Sequence, residues 1–129
     1  MRYLYPNQIV YLHQRIIQET GGTQGLRDRK LLESAVFRPQ ATFGGTDLYA
    51  DIYTKAAVLG YSIIQNHPFL DGNKRVGFEA MRLMLRLNGL DVRADLNVKY
   101  DFVIEIAKGN LNEQQIIAWL KTHTKPYPH

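Results

Sequence analysis

The chain has 129 residues, a formal net charge of +4 and no cysteine, and 45% of its residues are hydrophobic. This size suits one domain around one core, which we expect to span residues 1–129. The lack of cysteine excludes disulfides and thiolate metal sites, and no apolar run is long enough to cross a membrane. Since residues 1–6 lack the apolar region of a secretory signal, we expect a cytoplasmic protein with no membrane partner.

The spacing of apolar residues predicts about six helices and therefore an all-α fold. The first helix is expected to begin at Pro6 and to extend to about Glu19, where Gly21 and Gly22 stop it. Asp28 is expected to cap the second helix, because a side-chain oxygen there can accept a hydrogen bond from the first turn.

The middle of the chain contains two predicted helices that meet at a short loop. Residues 51–66 have apolar side chains at helical spacing along one face. Residues 73–88 are apolar on nearly every face, which is typical of a buried, central helix. Gly89 is expected to end this helix in the left-handed conformation, and residues 90–92 are expected to be extended.

Two further helices are predicted near the end of the chain. Asn97 is expected to cap one that ends at Gly109, and Asn112 with Gln115 forms a capping box for the last. Residues 125–129 are expected to be a mobile tail. The predicted fold is a compact single-domain bundle with its central loop at the N-terminus of the buried helix.

The loop reads His-Pro-Phe-Leu-Asp-Gly-Asn-Lys-Arg over residues 67–75. Pro68 disfavours helical dihedral angles at His67, so the preceding helix should end at or just before Asn66. The next helix then starts with Lys74 and Arg75, although the N-terminus of a helix is electropositive and usually favours acidic residues. A bound phosphate would explain both cations, and Gly72 would allow the backbone to approach it closely.

Each of these residues also has a structural interpretation. Asp71 or Asn73 would cap a helix, and His67 would be a hydrogen-bonded loop histidine. Arg75 would belong to a solvated stripe, and His13, on an apolar helix face, is expected to be packed. These interpretations leave the two cations at the helix start unexplained, so we favour the phosphate-binding hypothesis.

The loop resembles the signature of the Fic/Doc superfamily, His-x-Phe-x-Asp/Glu-Gly-Asn-Gly-Arg-x-x-Arg. The chain departs from it at Lys74, where the Fic pattern has glycine, and at Phe78, where it has a second arginine. Lysine after the asparagine is typical of the Doc (death-on-curing) branch of toxins. The matching residues are His67, Phe69, Asp71, Gly72, Asn73 and Arg75, with further similarity over 21–22, 25–28, 31–35, 55–57 and 87–89.

The resemblance implies a helical enzyme that uses ATP and Mg²⁺ to modify a protein hydroxyl. In the Doc branch the γ-phosphate is transferred, the expected target is a threonine of elongation factor Tu, and translation stops. A cognate antitoxin is the expected partner. His67 is then expected to take the proton from the target hydroxyl, and Asp71 to hold Mg²⁺ against the phosphates.

The remaining loop residues are expected to bind the phosphates. Asn73, Lys74 and the backbone amides that follow Gly72 would form an anion cradle, and Arg75 would clamp phosphate oxygens. Arg82, further along the same helix, is a candidate replacement for the missing second arginine. In the family, the region equivalent to residues 38–47 is a flap that aligns the target main chain, and its glycines, proline and threonines predict a non-helical segment here.

Three alternatives remain open. The Fic-like parts of the loop are compatible with nucleotidyl transfer to a protein, although Lys74 argues against it. A non-catalytic growth inhibitor would bind RNA or the ribosome through a stripe of Lys74, Arg75, Arg82 and Arg86. The positive charges form no long run, so nucleic acid is not the expected main partner. The third alternative is an inactive relative that serves as an interaction module.

Overall fold

The computed structural model of the chain describes residues 1–127, and these contain six α-helices and four short strands. The predicted all-α fold is therefore confirmed, and no helix in this part of the chain has the length and apolar character that crossing a membrane requires. The helices are α1 (Pro6–Thr20), α2 (Arg29–Phe37), α3 (Ile52–Asn66), α4 (Asn73–Leu87), α5 (Leu96–Ala107) and α6 (Glu113–Thr122). The strands form two antiparallel pairs, β1 (Thr42–Phe43) with β2 (Thr46–Asp47) and β3 (Leu90–Val92) with β4 (Thr124–Pro126).

Helices α3 and α4 form the centre of the core and make the most extensive contact in the described structure. Two glycines allow this close approach. A Cβ atom on Gly77 would lie 2.5 Å from Cγ1 of Ile64 and 3.1 Å from the carbonyl oxygen of Gly60. A Cβ atom on Gly60 would lie 2.2 Å from Cγ of Met81. The two helices that flank the loop are therefore held together at a distance that side chains at these positions would prevent.

Most of the predicted helix ends are confirmed. Helix α1 begins at Pro6, and the N–H of Gly21 closes its last turn on the carbonyl of Ile17. The carboxylate of Asp28 accepts a hydrogen bond from the N–H of Leu31 at 3.0 Å, as a capping residue should. The capping box of Asn112 and Gln115 is also present at the start of α6.

The predicted start of α5 at Asn97 was wrong. Helix α5 begins at Leu96, and Asp95 occupies the N-cap position. The carbonyl of Asp95 accepts the N–H of Lys99, so Asn97 lies inside the first turn. Asp95 and Asn97 are both common N-cap residues, and the local sequence does not distinguish between them.

The predicted mobile tail was also wrong for the residues that the structure describes. Strand β4 pairs with β3, with Lys125 opposite Asp91, and the N–H of Tyr127 donates to the carbonyl of Gly89 at 2.8 Å. The guanidinium of Arg86 lies 4.8 Å from the centre of the Tyr127 ring. Residues 128–129 lie outside the described part of the chain. The C-terminal end of α4 is thus covered by residues from the C-terminal part of the chain.

The segment 38–47 is only partly non-helical, as Arg38–Gln40 forms a single 3₁₀ turn after α2. Beyond it, β1 and β2 form a hairpin, in which Gly44 and Gly45 have φ angles of 59° and 81°. Such angles suit the tight turns that match the twist of a hairpin. Lys55 of α3 is 1% exposed and holds the base of this hairpin. Its Nζ donates to the carbonyl of Pro39 at 2.9 Å and to the Asp47 carboxylate at 3.2 Å.

A buried carboxylate joins α4 to β3. Asp91 accepts hydrogen bonds from Nε of Arg82 at 3.0 Å and from Nη2 of Arg86 at 2.9 Å. Burial alone would raise the pKa of Asp91, but the hydrogen bonds from Arg86 and Arg82 outweigh it and lower this pKa to about 2. The ion pairs therefore stabilise the folded state as long as Asp91 is ionised.

The glycine at position 77 provides a test of the α3–α4 contact. We expect Gly77→Ala to lower the free energy of unfolding by about 1–3 kcal/mol, the usual cost of overpacking a core. Helix propensity alone predicts that alanine raises the free energy of unfolding by about 1 kcal/mol. The sign of the measured change therefore distinguishes the packing effect from the propensity effect. Urea unfolding measures it, with the exposed Gln18→Ala as control, and a more stable Gly77→Ala protein would contradict the packing argument.

The lowered pKa of Asp91 predicts an acid-sensitive contribution to stability. A carboxylate whose pKa is lowered by folding stabilises the protein fully above about pH 4, and this contribution is lost as the pH falls towards 2. We expect Asp91→Asn to be less stable than the parent at pH 7 by on the order of 2 kcal/mol, and this difference to shrink between about pH 4 and pH 2. Urea unfolding across this range, with the exposed Asp101→Asn as control, measures it. A difference independent of pH would contradict the assignment.

Candidate active site

The loop begins where α3 ends in a left-handed residue. His67 has φ 50° and ψ 56°, and among the described residues it is the only one other than glycine with a positive φ. This conformation costs a residue with a side chain about 1–3 kcal/mol and is common at functional sites. The predicted helix end is confirmed, because the N–H of His67 still bonds to the carbonyl of Ile63, while Pro68 turns the chain away.

A segment that follows α1 holds the loop from outside. The N–H groups of Arg27 and Asp28 both donate to the carbonyl of Pro68, at 2.7 and 3.0 Å. The Arg27 guanidinium donates to the carbonyls of His67 at 2.7 Å and Asn66 at 2.9 Å. It thus satisfies carbonyl groups that the end of α3 leaves without helical partners. Arg27 therefore stabilises the strained turn at His67.

Phe69 anchors the loop in the core, and it has a partner in α1. Phe69 is 1% exposed, and its ring stacks on the imidazole of His13 with a centroid distance of 3.9 Å. His13 is buried, as predicted, and its Nε2 lies 2.7 Å from the carbonyl oxygen of Asp71. Since a carbonyl can only accept, Nε2 carries the proton in this bond. His13 therefore both packs in the core and holds the backbone of the loop.

The side chain of Asn73 closes the loop from inside. Its Oδ1 accepts the N–H of Phe69 at 3.0 Å, and its Nδ2 donates to the carbonyl of Phe69 at 3.0 Å. Nδ2 also lies 3.4 Å from Nδ1 of His67, a long contact that holds the imidazole only weakly. The Asn73 side chain is buried, so its described contacts give it a structural role in the loop.

The carboxylate of Asp71 is held by two backbone donors. Its Oδ2 accepts the N–H of Thr23 at 3.0 Å, and its Oδ1 accepts the N–H of Gly72 at 2.8 Å. These bonds, first the one from Thr23 and then the one from Gly72, hold the pKa of Asp71 below its usual range, and the positive charge of Arg75 contributes. Asp71 is therefore a carboxylate with a fixed orientation.

The start of α4 offers hydrogen-bond donors to an anion. Gly72 takes the N-cap position with a φ of 75°, and its carbonyl accepts the N–H of Val76. No group within residues 1–127 accepts the N–H of Asn73, Lys74 or Arg75. The Lys74 side chain is exposed, and no carboxylate of the described residues pairs with it. Free N–H groups, the helix dipole and an unpaired cation together favour a phosphate.

Arg75 points back towards the end of α1. Its Nη1 donates to Oγ1 of Thr20 at 2.5 Å and to the carbonyl of Gly21 at 2.9 Å, and its Nη2 lies 3.8 Å from Oδ1 of Asp71. Neither Nε nor Nη2 has a hydrogen bond to a described residue. The guanidinium is thus oriented beside Asp71 with donors left for a ligand.

The structure brings together the residues that the sequence analysis grouped, with one exception outside the loop. Arg82 is bound to Asp91 and is not available as a substitute for the second Fic arginine. Arg86 pairs with the same carboxylate, which weakens the proposed RNA-binding stripe. No local sequence pattern indicates the site roles of Thr23 and Arg27, because these residues lie 48 and 40 residues from their loop partners.

The carboxylate of Asp71 is the candidate protein ligand for a magnesium ion. No group of three His, Cys, Asp or Glu side chains in residues 1–127 is arranged to bind a metal. Mg²⁺, however, is usually held by one or two carboxylates together with water and substrate phosphates. The two N–H bonds to Asp71 leave some of its lone pairs unused, so this carboxylate fits the role of the protein ligand.

A groove of about 1280 Å³ opens beside the start of α4. Helices α1, α4 and α5 form its walls, and Lys74 and Arg75 are among its lining residues. Two residues of α5, Tyr100 and Leu96, line the groove. Their side chains are 65% and 81% exposed. The groove is therefore a mainly apolar surface that ends at the candidate phosphate site.

The fold and the loop are those of a recognised class, the Fic/Doc family. A sequence model of a protein family, described as the Fic/DOC family, matches residues 3–85. The chain therefore belongs to this family. The chain is 40% identical to Toxin Doc of Mycolicibacterium smegmatis over 102 residues, 78% of each sequence. It is 27% identical to Protein kinase doc of Escherichia phage P1 over 121 residues, 94% of each sequence. These relatives assign the chain to the Doc type, as the lysine at position 74 predicted.

The role of Asn73 can be tested through stability. Asn73→Ala removes both bonds to Phe69 and leaves a buried N–H without a partner, so we expect a loss of about 1–3 kcal/mol in the free energy of unfolding. Lys74→Ala, at the next position, removes an exposed side chain and should change this energy by less than about 0.5 kcal/mol. Chemical denaturation measures both. Equal stabilities for the two variants would show that Asn73 does not hold the loop.

Proposed function

We propose that this protein is a Doc-type toxin that transfers the γ-phosphate of ATP to a protein hydroxyl, with a threonine of elongation factor Tu as the expected acceptor. The observation that carries the proposal is the start of α4. Three N–H groups there have no acceptor and Lys74 has no carboxylate partner within residues 1–127, and they lie next to the oriented carboxylate of Asp71. The relative from phage P1 is named a protein kinase, which favours phosphate as the transferred group.

His67 is the proposed general base. Its side chain is exposed at the edge of the loop, where a hydroxyl of another protein can reach the imidazole. A neutral imidazole has one ring nitrogen without a proton, which can accept the hydroxyl proton as the oxygen attacks. The new bond joins this oxygen to the γ-phosphorus, the bond between the γ-phosphorus and the β–γ bridging oxygen breaks, and ADP leaves. The strained turn holds His67 in position for this step.

The other loop residues neutralise charge. Lys74 contributes a positive charge, and Arg75 contributes the donors that Thr20 and Gly21 do not use. The N–H groups of residues 73–75 bind phosphate oxygens without any reorganisation of the backbone. Asp71 would hold Mg²⁺, and the ion would supply positive charge to neutralise the phosphates. Asn73 contributes by keeping the loop closed.

We further propose that a cognate antitoxin restrains the toxin from outside. The name of the mycobacterial relative, Toxin Doc, supports this regulation. The groove between α1, α4 and α5 opens beside Lys74 and Arg75, so an antitoxin segment with an apolar face would cover the phosphate site. We expect the protein to act in the cytoplasm, where ATP and the translation machinery are found.

The decisive experiment is mass spectrometry of purified elongation factor Tu after incubation with this protein, Mg²⁺ and ATP. We expect one added phosphoryl group, located on a threonine. His67→Ala should reduce the rate by a factor of about 10²–10⁴, the usual contribution of a general base. Circular dichroism of the variant provides the control for folding.

Other outcomes of this assay select other functions. An added adenylyl group would assign nucleotidyl transfer in spite of Lys74. Full activity of His67→Ala would remove the general-base assignment. If the factor remains unmodified, then it is not the target, and binding of the protein to ribosomes at rising salt concentration would test the non-catalytic alternative.

A further inference from the structure

The glycine pair after α1 does more than end the helix. Gly21 is the residue that closes it, since its N–H bonds to the carbonyl of Ile17 at 2.8 Å. Gly22 lies against the active loop instead. A Cβ atom on Gly22 would lie 2.7 Å from Oδ2 of Asp71 and 3.2 Å from Nη2 of Arg75. Gly22 therefore leaves the space that these two charged groups occupy.

The next residue supplies a hydrogen bond to the same carboxylate. The N–H of Thr23 donates to Oδ2 of Asp71 at 3.0 Å, while the N–H of Gly72 donates to Oδ1 at 2.8 Å. One donor comes from the loop itself and the other from a segment 48 residues away. Since each oxygen has its own backbone donor, the plane of the carboxylate is set by two parts of the chain.

The same segment also orients the neighbouring cation. Thr20 and Gly21 accept hydrogen bonds from Nη1 of Arg75. Residues 20–23 thus contact both the acidic and the basic member of the site, although none of them belongs to the motif of residues 67–75.

We propose that Gly22 and the backbone N–H of Thr23 are positioning groups that orient the Asp71 carboxylate for Mg²⁺ and for phosphate transfer. The inference rests on the proposed function, because it assigns an orientation to the metal ligand of that reaction. Partners that orient a metal ligand typically change metal affinity by a factor of 10–100 when they are removed. The side chain of Thr23 plays no part, as only its N–H reaches Asp71.

Gly22→Ala and Gly21→Ala form a matched pair of variants. Both glycines have positive φ angles, 120° and 87°, so alanine is strained at either position. A Cβ atom on Gly21 would meet no atom of residues 1–127 within 4 Å. A Cβ atom on Gly22 would lie 2.7 Å from the movable end of the Asp71 side chain and 3.1 Å from Cδ1 of Ile17. The Gly22→Ala protein should therefore fold, but with a displaced carboxylate.

A second pair isolates the hydrogen bond. Thr23→Pro removes the N–H donor, because proline has none, and Thr23→Ala keeps it. We expect Thr23→Ala to behave as the parent. Thr23→Pro should raise the Mg²⁺ requirement as Gly22→Ala does, although the two substitutions act on different atoms.

The experiment measures the Mg²⁺ concentration required for half-maximal phosphate transfer, separately from kcat at saturating Mg²⁺. We expect Gly22→Ala and Thr23→Pro to need at least about tenfold more Mg²⁺, with a smaller change in kcat. Thr23→Ala should stay within about twofold of the parent in both quantities. Gly21→Ala should keep the Mg²⁺ requirement within about twofold of the parent and change only kcat, because the Gly21 carbonyl contacts Arg75 and not Asp71. Unchanged Mg²⁺ requirements in Gly22→Ala and Thr23→Pro would overturn the proposal. An equal effect of Gly21→Ala would overturn it too, since backbone strain would then explain the loss.

Amide hydrogen exchange of the metal-free protein tests the positioning without any activity. The Thr23 N–H should exchange at least about tenfold faster in Gly22→Ala and in Asp71→Ala than in the parent, as expected from the loss of a hydrogen bond to a charged group. Exchange that is equally fast in the parent would overturn the inference. A parent that shows this protection but transfers no phosphate would instead refute the proposed function, so the two failures are distinguishable.

Discussion

The close contact of α3 and α4 is the constraint on which the site depends. Gly60 and Gly77 bring the two helices together, and this fixes both ends of the loop that joins them. Because the ends are fixed, a short loop can place a strained His67 and a helix N-terminus next to each other. Hydrogen bonds from Arg27 and Asn73 then select one conformation of the loop. Without the glycine contact these local bonds would have no rigid frame.

The basic residues of α4 differ in whether they have a carboxylate partner. Arg82 and Arg86 lie on α4 as Arg75 does, but both form ion pairs with the buried Asp91. Lys74, by contrast, has no carboxylate partner among residues 1–127. Within α4, the positive charge that is available to an anion therefore lies at the first turn, where the helix dipole adds to it. This arrangement suits a nucleotide phosphate better than an extended nucleic acid.

The local prediction errors have a common physical origin. Asp95 and Asn97 have similar capping ability, so the start of α5 depends on where the helix packs and not on the cap itself. Strand β4 forms because residues 124–126 meet β3, and a strand of this length has no stability of its own. Arg82 carries the charge expected of a phosphate ligand, but Asp91 lies within its reach. For β4 and for Arg82, a contact outside the local segment overrode the local preference.

The sequence by itself determined the helices and the chemistry of the loop. Apolar periodicity, Pro68 and the cap at Asp28 act over a few residues, and the order of charged residues at 71–75 indicates a phosphate site at a helix start. Only the tertiary structure decided how that loop is held. His13 and Thr23 contact Asp71 from α1 and the segment after it, at sequence separations of 58 and 48 residues. Such contacts leave no local pattern, because they depend on the packing of α1 beside α4.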